Sequence, residues 1–317
     1  SDYEEYVADF LSPRPVERIG IVLFIIICIV GVGGNVLVIS VVLSAKRMVT
    51  LQLRLNISNW LNLYARSSMN VLLTNLAVAD LVILVICLPT TVIVDVTKTF
   101  WFSEEACKAI LFVQNTGVYV SVLSLTYISY ERWRAVTNPL EVSLASKKIV
   151  IPVIWTLSII LSTPEPFTLQ IVPATFERSN FTTTWGTQCR ASWSSDFEQT
   201  YQLVQSLVFY ILPLAIISFL CHRTVKTLNS PQLELGRRQI GSRKRAVRML
   251  AVVVFVFALS YLPVHAHNLS VAFAPTTEDN VEEENIDISA IRKLLARLFS
   301  YSSSSLNPIL YNFLCRK

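Results

Sequence analysis

The strongest constraint on how this chain folds is a run of residues without a charged side chain, from 109 to 130. As an α-helix rising 1.5 Å per residue, the run would be about 33 Å long, enough to cross a hydrocarbon core of ~30 Å. A single segment that crosses a bilayer must be helical, because each backbone N–H and C=O needs a partner within the segment. Alone, the Glu131-Arg132 pair that follows would indicate only a solvated helix end. The run therefore predicts a membrane-spanning helix.

The composition favours several such helices. The chain is 53% hydrophobic and 15% charged, with a mean hydropathy of +0.52. A soluble chain with that balance would have too little polar surface to cover itself. A run at 288–314 is weak by hydropathy because Ser300 and the serines from Ser302 to Ser305 dilute it. Six clearer runs lie at about 19–44, 70–94, 109–130, 149–164, 203–221 and 249–264.

The distribution of charge predicts the topology. With the N-terminus outside, the inner segments hold 18 of the 27 Lys and Arg residues and three acids, whereas the outer segments hold 18 of the 22 acids. An excess of Lys and Arg on the inner side is the rule for membrane proteins. We therefore predict an all-α membrane protein, a seven-transmembrane helix bundle over 19–317 after an extracellular tail at 1–18. The inner segments are 45–70, 131–150, 221–248 and 315–317.

The sequence around Glu131-Arg132, SLTYISYERWRAVTNPL, resembles the inner end of the third helix of rhodopsin-like (class A) G-protein-coupled receptors. The resemblance covers about residues 19–314. It implies a multi-pass receptor in the plasma membrane with its N-terminus outside, surrounded by membrane lipids. It also implies a heterotrimeric G protein as the inner partner, and arrestin as a further one. The other matching motifs are GNV at 34–36, LAVAD at 76–80, Trp155, Pro213, Pro263 and NPILY at 307–311.

The resemblance also implies which residues couple ligand binding to the G protein. Arg132, held by Glu131, is the expected inner latch, and Tyr261 beside Pro263 is the expected lever because a proline kink provides a pivot. Cys221 stands where the family has a tyrosine that helps to hold the active state, which keeps a weakly signalling decoy receptor open as an alternative. The predicted coupling set is Glu131, Arg132, Trp133, Tyr261, Pro263, Asn307, Pro308 and Tyr311.

Asp80 is a carboxylate in the middle of an apolar run, which in a membrane protein is a functional-site hypothesis by default. The resemblance implies a polar pocket that holds a sodium ion in many inactive receptors, with the ion as an allosteric modulator and no required cofactor. A protonated or water-bridged Asp80 without an ion is the alternative. The predicted sodium set is Asp80, Asn35, Ser121, Ser303, Ser304 and Asn307.

The outer segments contain two cysteines, Cys107 and Cys189. A disulfide between them would tie the second outer loop to the third helix, as in the family. The loop sequence FTTTWGTQCRASW at 181–193 alternates in the manner of a β-hairpin. Asn180 begins a glycosylation sequon on the outer side.

The finer similarity is to orexin receptors and insect allatotropin receptors. It rests on CLP at 87–89, VDVT at 94–97 and FALSYLP at 257–263, in which Tyr261 replaces the usual tryptophan. Gln114 stands where an amine receptor would have an aspartate, so an amine ligand is disfavoured. Arg297 departs from the histidine of orexin receptors. The predicted ligand-binding residues are Thr91, Asp95, Gln114, Val118, Tyr201, Gln202, Gln205, Val264, His265, Asn268, Arg297 and Tyr301.

Acidic residues surround the predicted outer mouth, whereas the deeper walls are expected to be uncharged except for Asp95 and Arg297. The resulting negative potential would concentrate cations. Together these features favour a basic peptide whose uncharged, amidated C-terminus enters first. The resemblance further implies coupling to Gq with a calcium signal. A lipid or small-molecule ligand is the alternative. The ten acids of the mouth are Asp2, Glu4, Glu5, Asp9, Glu278, Asp279, Glu282, Glu283, Glu284 and Asp287.

Three stretches permit two interpretations each. The unusually long inner connection at 46–70 fits a membrane-surface helix or an insertion without function. The tail at 1–18 fits a disordered segment or a short helix at the mouth. The opening sequence lacks the basic and apolar regions of a signal peptide, so either the first span directs insertion or the sequence is trimmed.

Other protein classes are disfavoured. The three histidines have no Cys or Glu partners at metal-ligand spacing, and there is no phosphate-binding loop or nucleophile elbow, so we do not expect an enzyme. The Arg-rich stretch at 237–248 has no soluble domain to present it to nucleic acid. A transporter is disfavoured because there is no internal repeat with paired broken helices.

Overall fold

The computed structural model describes residue 12 and residues 14–53, 60–137, 145–173, 185–228, 237–273 and 286–315. The described chain forms seven long helices and one two-stranded sheet, which confirms the predicted fold class. Five of them are α-helical throughout. The first four of these are α1 Pro15–Leu53, α3 Glu104–Thr137, α4 Ala145–Ser162 and α6 Arg237–Ala272. The seventh, α7, is Ile286–Cys315.

Two helices contain a π-helical turn. Helix α2 consists of Trp60–Val82, the π-turn Ile83–Cys87 and Leu88–Thr97. Helix α5 consists of Ser195–Ser206, the π-turn Leu207–Ile211 and Leu212–Leu228. A π-turn adds a residue to one turn and so changes which side chains face the interior beyond it. Both turns lie next to predicted ligand-binding residues.

Six of the described helical segments, those of α1 to α6, are long and apolar enough to cross a membrane. Helix α7 falls short by hydropathy, as its serines predicted, although it packs against α1 and α6. Helix α1 begins at Pro15, before the apolar run. Proline suits the first helical position, and the Arg14 N–H donates to the Glu17 carboxylate at 2.9 Å, as in a capping box.

The long inner connection is helical at both of its ends. Helix α1 continues to Leu53, and α2 begins at Trp60, so the predicted loop 46–70 extends both helices instead of forming a separate element. Residues 54–59 lie outside the described part of the chain. No function follows from this geometry alone.

Helix α3 lies at the centre of the bundle and packs against α2, α4 and α5. Gly117 lets α3 approach α2 closely, since a Cβ added there would lie 2.7 Å from Cγ1 of Ile83. A polar link lies about two helical turns further inward: the Trp155 indole N–H donates to the Asn75 side-chain oxygen at 2.8 Å, and the Asn75 amide donates to Ser124 at 2.9 Å. These three side chains join α4, α2 and α3.

The sheet is an antiparallel hairpin of β1, Leu169–Val172, and β2, Gln188–Ala191. It confirms the predicted hairpin, although β1 precedes the alternating sequence from which the hairpin was inferred. Cys189 is bonded to Cys107 at the start of α3, with 5.9 Å between the Cα atoms. The predicted disulfide is therefore confirmed, and it holds the hairpin over the end of the bundle.

Candidate ligand-binding and activation sites

Helices α2 and α7 are joined by two polar contacts, one helical turn apart on each helix. The hydroxyl oxygens of Thr91 and Tyr301 lie 2.7 Å apart. One turn outward, the Arg297 guanidinium donates to the Asp95 carboxylate in an ion pair. All four residues were predicted to contact the ligand. The structure therefore brings them together, and it neutralises the charge of Arg297 within the protein.

A second group of predicted residues lies between α3, α5 and α6. The Gln205 amide donates to the hydroxyl of Tyr119, whose ring stacks on Phe209 with 3.5 Å between the centroids. His265 is buried, and its Nδ1 lies 3.0 Å from the Ser206 hydroxyl. Tyr119 was not predicted as a site residue. It is buried in the middle of an apolar run, and that pattern does not distinguish a site residue from a core residue.

The remaining predicted ligand residues differ in their surroundings. Val118 packs against two of the apolar clusters of the core. Tyr201 lies in a row of rings with Trp193 and Phe197 at the outer end of α5. Gln114 on α3 and Asn268 on α6 are half-buried, and their side chains make no hydrogen bond within the described residues. Val264 on α6 is half-buried as well. The side-chain oxygen of Gln202 is buried and likewise has no partner there.

Sequence reasoning missed one acidic residue at this end of the bundle. Glu165 lies in the 3₁₀ turn Glu165–Phe167 after α4, and its carboxylate accepts a hydrogen bond from the Asn115 amide of α3. The expectation that Asp95 and Arg297 are the only charges of the deeper wall therefore omits Glu165. Its local sequence, an acid between two prolines at the end of an apolar run, is equally compatible with an acid that faces water.

The predicted sodium residues meet in the middle of the bundle. Asp80 is fully buried and accepts hydrogen bonds from Asn307 at 2.8 Å and from Ser121 at 3.1 Å, and Ser304 interacts with the same carboxylate. Asn35 donates to the Ser304 carbonyl at 3.0 Å. A carboxylate with hydroxyl and amide oxygens is a donor set that suits a hard cation. The residues present therefore fit a sodium ion, with Asp80 as its charged ligand.

The predicted lever lies directly beside this polar centre. Tyr261 is buried, and its hydroxyl oxygen is 3.2 Å from that of Ser303 on α7. The Tyr261 ring contacts Phe257, one turn further inward on α6, and from Phe257 ring contacts lead through Tyr210 of α5 to the outer residue His265. Pro263 lies within α6, two residues from Tyr261. Contacts thus run without a break from the outer residue His265 to the neighbour of Asp80.

At the inner end, the Glu131 carboxylate accepts a hydrogen bond from the Tyr127 hydroxyl at 3.1 Å. Arg132 is half-buried next to it on α3, and the Trp133 ring lies 5.8 Å from that of Tyr130. Pro308 is buried against Gly34 of α1. Tyr311 lies in α7, but its side chain is outside the described part of the structure. Asn180 and nine of the ten mouth acids also lie outside the described residues, as does the side chain of Asp287.

Seven helices, an outer end closed by a disulfide-linked hairpin, a buried carboxylate and a Glu-Arg pair at the inner end define a multi-pass membrane receptor. Residues 34–311 match the model of the 7 transmembrane receptor (rhodopsin family). The chain is 32% identical over 307 residues to the [Phe13]-bombesin receptor of Bombina orientalis, covering 93% of this chain and 72% of that relative. The chain belongs to the rhodopsin family of seven-transmembrane receptors and is a G-protein-coupled receptor of the plasma membrane.

The family assignment confirms the resemblance on which the prediction rested and its neuropeptide-receptor character, and it places the chain among receptors, not enzymes. The similarity to orexin and allatotropin receptors stays a prediction. So do the glycosylation of Asn180 and the roles of the individual site residues.

Proposed function

We propose that this receptor binds an extracellular basic peptide, whose uncharged, amidated C-terminus enters the bundle first, and that binding favours a G-protein-activating state. The named ligand of the Bombina orientalis relative has a phenylalanine at position 13, which describes a peptide. That likeness supports a peptide over a lipid or a small amine. Coupling to Gq with a calcium signal is part of the same proposal.

The ion pair between Arg297 and Asp95 carries the proposal for an amidated terminus. A free peptide carboxylate needs a cation or several donors at the end of its path. In this structure Arg297 already has its carboxylate partner, so recruiting it would leave Asp95 underpaired. Gln114 and Asn268 have side-chain amides free of protein partners within the described residues, and amides match an amide terminus.

The acidic residues of the two outer segments support a basic ligand body. Ten carboxylates in residues 2–9 and 278–287 give the mouth a negative potential, which raises the local concentration of cations and their rate of arrival. The sign of this potential follows from the number of charges and does not depend on the conformation of those segments.

The mechanism follows from the contacts between His265 and the surroundings of Asp80. A ligand can shift the equilibrium between two helix packings only by its difference in affinity for them. A peptide that displaces His265 would also displace the rings packed against it, first Tyr210 and then Phe257. Phe257 in turn contacts Tyr261. We propose that Tyr261 then changes its contact with Ser303, and that α6 turns at Pro263 and moves away from Arg132. A sodium ion at Asp80 would oppose this step as a modulator.

The test is a peptide-library screen in cells that express the receptor, with intracellular calcium as the readout. An active peptide is then compared as its C-terminal amide and its free acid. We expect the acid to bind more weakly by about 1–3 kcal/mol, the usual range for a poorly satisfied buried polar group. If both forms bind equally to the parent receptor and the acid alone loses affinity in Arg297→Gln, Arg297 is the terminal anchor and the proposal is wrong.

A receptor that binds its peptide but signals weakly is the second candidate. Cys221 is the observation that favours it, because a half-buried thiol of α5 is a poorer hydrogen-bond donor than the hydroxyl of a tyrosine. The variant Cys221→Tyr separates the two: a decoy should gain calcium signalling at unchanged peptide affinity, whereas a fully active receptor should not change.

A further inference from the structure

Glu165 lies at the junction of α3, α4 and the hairpin. It begins the 3₁₀ turn after α4, four residues before β1 starts at Leu169. Asn115, which donates to its carboxylate, lies one helical turn before Tyr119 on α3, and the Tyr119 hydroxyl accepts a hydrogen bond from Gln205. Glu165 therefore belongs to the same wall as the residues proposed to contact the peptide, but the proposed function gives it no role.

The carboxylate of Glu165 has no cationic partner in the described part of the chain. Other carboxylates at this end of the bundle have a cationic partner, as the pairs Lys98–Glu17, Lys108–Glu104 and Arg297–Asp95 show. The side-chain hydrogen bond to Glu165 comes from an uncharged amide. Glu165 is half-buried. Moving a carboxylate out of water without a counter-charge is costly, so such a group is usually paired with a cation or protonated.

The neighbours of Glu165 suit a bound cation. The hydroxyls of Tyr119 and Tyr201 both interact electrostatically with the carboxylate. The Tyr201 hydroxyl is buried, and it interacts with the Tyr119 hydroxyl without an ideal hydrogen-bond geometry. Tyrosine rings also attract cations through their faces, and a guanidinium both stacks on rings and pairs with a carboxylate. The wall thus offers a carboxylate, two hydroxyls and aromatic surface together.

We propose that Glu165, with Tyr201 and Tyr119, binds a cationic group of the ligand, a guanidinium above all. This inference rests on the proposed function, because it assigns a position to one charge of the basic peptide. A purely structural Glu165, which only joins α3 to the end of α4 through Asn115, would need no cation. The two roles therefore differ in whether the receptor distinguishes a charged probe from a neutral probe of the same shape.

The experiment compares N-acetyl-arginine amide with N-acetyl-citrulline amide, whose urea group replaces the guanidinium by a neutral group of nearly the same shape. The readout is the melting temperature of the purified receptor at constant sodium and pH, since a ligand of the folded state stabilises it by mass action. We expect arginine amide to raise the melting temperature saturably and citrulline amide to leave it unchanged. In Glu165→Gln, the half-saturating concentration of arginine amide should rise about 10- to 100-fold.

Asp196→Asn is the matched control, because Asp196 is an exposed acid at the start of α5 and its loss should leave the response intact. If Glu165→Gln does not fold, Glu165→Asp takes its place. This variant keeps the charge on a shorter side chain, and it should weaken the binding of arginine amide without changing the response to citrulline amide. The proposal is overturned if both probes shift the parent receptor equally, if arginine amide has no effect up to its solubility limit, or if the difference survives in Glu165→Gln.

A calcium assay separates failure of this inference from failure of the proposed function. If the library yields an active peptide, replacing its arginines one at a time by citrulline should identify one position at which Glu165→Gln causes no further loss of potency. If no peptide activates the receptor, the proposed function fails, but the melting experiment still decides whether Glu165 binds a guanidinium.

Discussion

The hydroxyl oxygens of Tyr261 and Ser303 lie 3.2 Å apart and join α6 to α7 one residue before Ser304, which interacts with Asp80. Both side chains are buried, so neither can exchange this hydrogen bond for one to bulk water. The residue proposed as the lever and the polar centre of the bundle are therefore neighbours in direct contact.

Tyr261→Phe should destabilise the receptor by about 0.5–1.5 kcal/mol, since it removes one buried hydrogen bond and keeps the ring. The melting temperature of the purified protein measures this loss. Tyr130→Phe is the control, because Tyr130 is exposed on α3 and makes no hydrogen bond through its hydroxyl within the described residues. Equal melting temperatures for the two variants would show that the Tyr261 hydroxyl does not stabilise this packing.

Cys189→Ser should remove surface expression or ligand binding, because the hairpin loses its attachment to α3. Loss of a native disulfide commonly costs 2–5 kcal/mol. Cys28→Ser is the comparison, since Cys28 is a free cysteine of α1. Surface labelling of intact cells measures expression, and binding of an active peptide measures whether the outer mouth still holds its ligand. Normal values for both in Cys189→Ser would contradict the role assigned to the bridge.

We expect sodium, compared with potassium at equal ionic strength, to raise the melting temperature of the purified receptor and to lower agonist affinity. The two effects are linked if the ion prefers the inactive state. Asp80→Asn should abolish both, whereas Asp196→Asn should retain them. An identical response of the parent receptor to the two ions would contradict the sodium proposal. Asp80 would then serve as a hydrogen-bond acceptor for Ser121 and Asn307.

Gly117→Ala should destabilise the bundle by about 1–3 kcal/mol, the usual cost of overpacking. The added methyl would lie 2.7 Å from Cγ1 and 3.0 Å from Cδ1 of Ile83, which is itself buried. Gly33→Ala makes the same change in α1, where an added Cβ has nothing within 4 Å, and alanine favours the helix. Melting temperatures should therefore fall for Gly117→Ala and not for Gly33→Ala.

The sequence predicted the elements of the fold better than the partners of individual side chains. Helix α7 shows why hydropathy alone was a weak guide: Ser303, Ser304 and Ser305 are all buried in the bundle, where their hydroxyls find partners. Averaging over the helix counts such inward-facing polar groups against a membrane span. The charge distribution and the Asn-Pro motif do not depend on that average.

The disulfide was predictable because the topology left two cysteines on the outer side. Glu165 was not, because an acid after a proline at a helix end has the same local sequence whether it faces water or the interior. Glu165 is joined to the bundle by its contact with Asn115, which lies 50 positions earlier in the chain. Contacts of this kind depend on how the helices pack, and no spacing in the sequence specifies them.

The register of the hairpin pairs Ile171 with Cys189. This pairing closes a ring: the disulfide leads from Cys189 to Cys107, α3 leads on to Asn115, the Asn115 amide reaches Glu165, and the chain returns through β1 to Ile171. A carboxylate held in such a closed ring of contacts has lost most of its conformational freedom before any ligand binds. Preorganisation of this kind lowers the entropic cost of binding. Reducing the disulfide, the one covalent cross-link in the ring, should therefore weaken the proposed binding of a guanidinium even though neither cysteine is proposed to contact it.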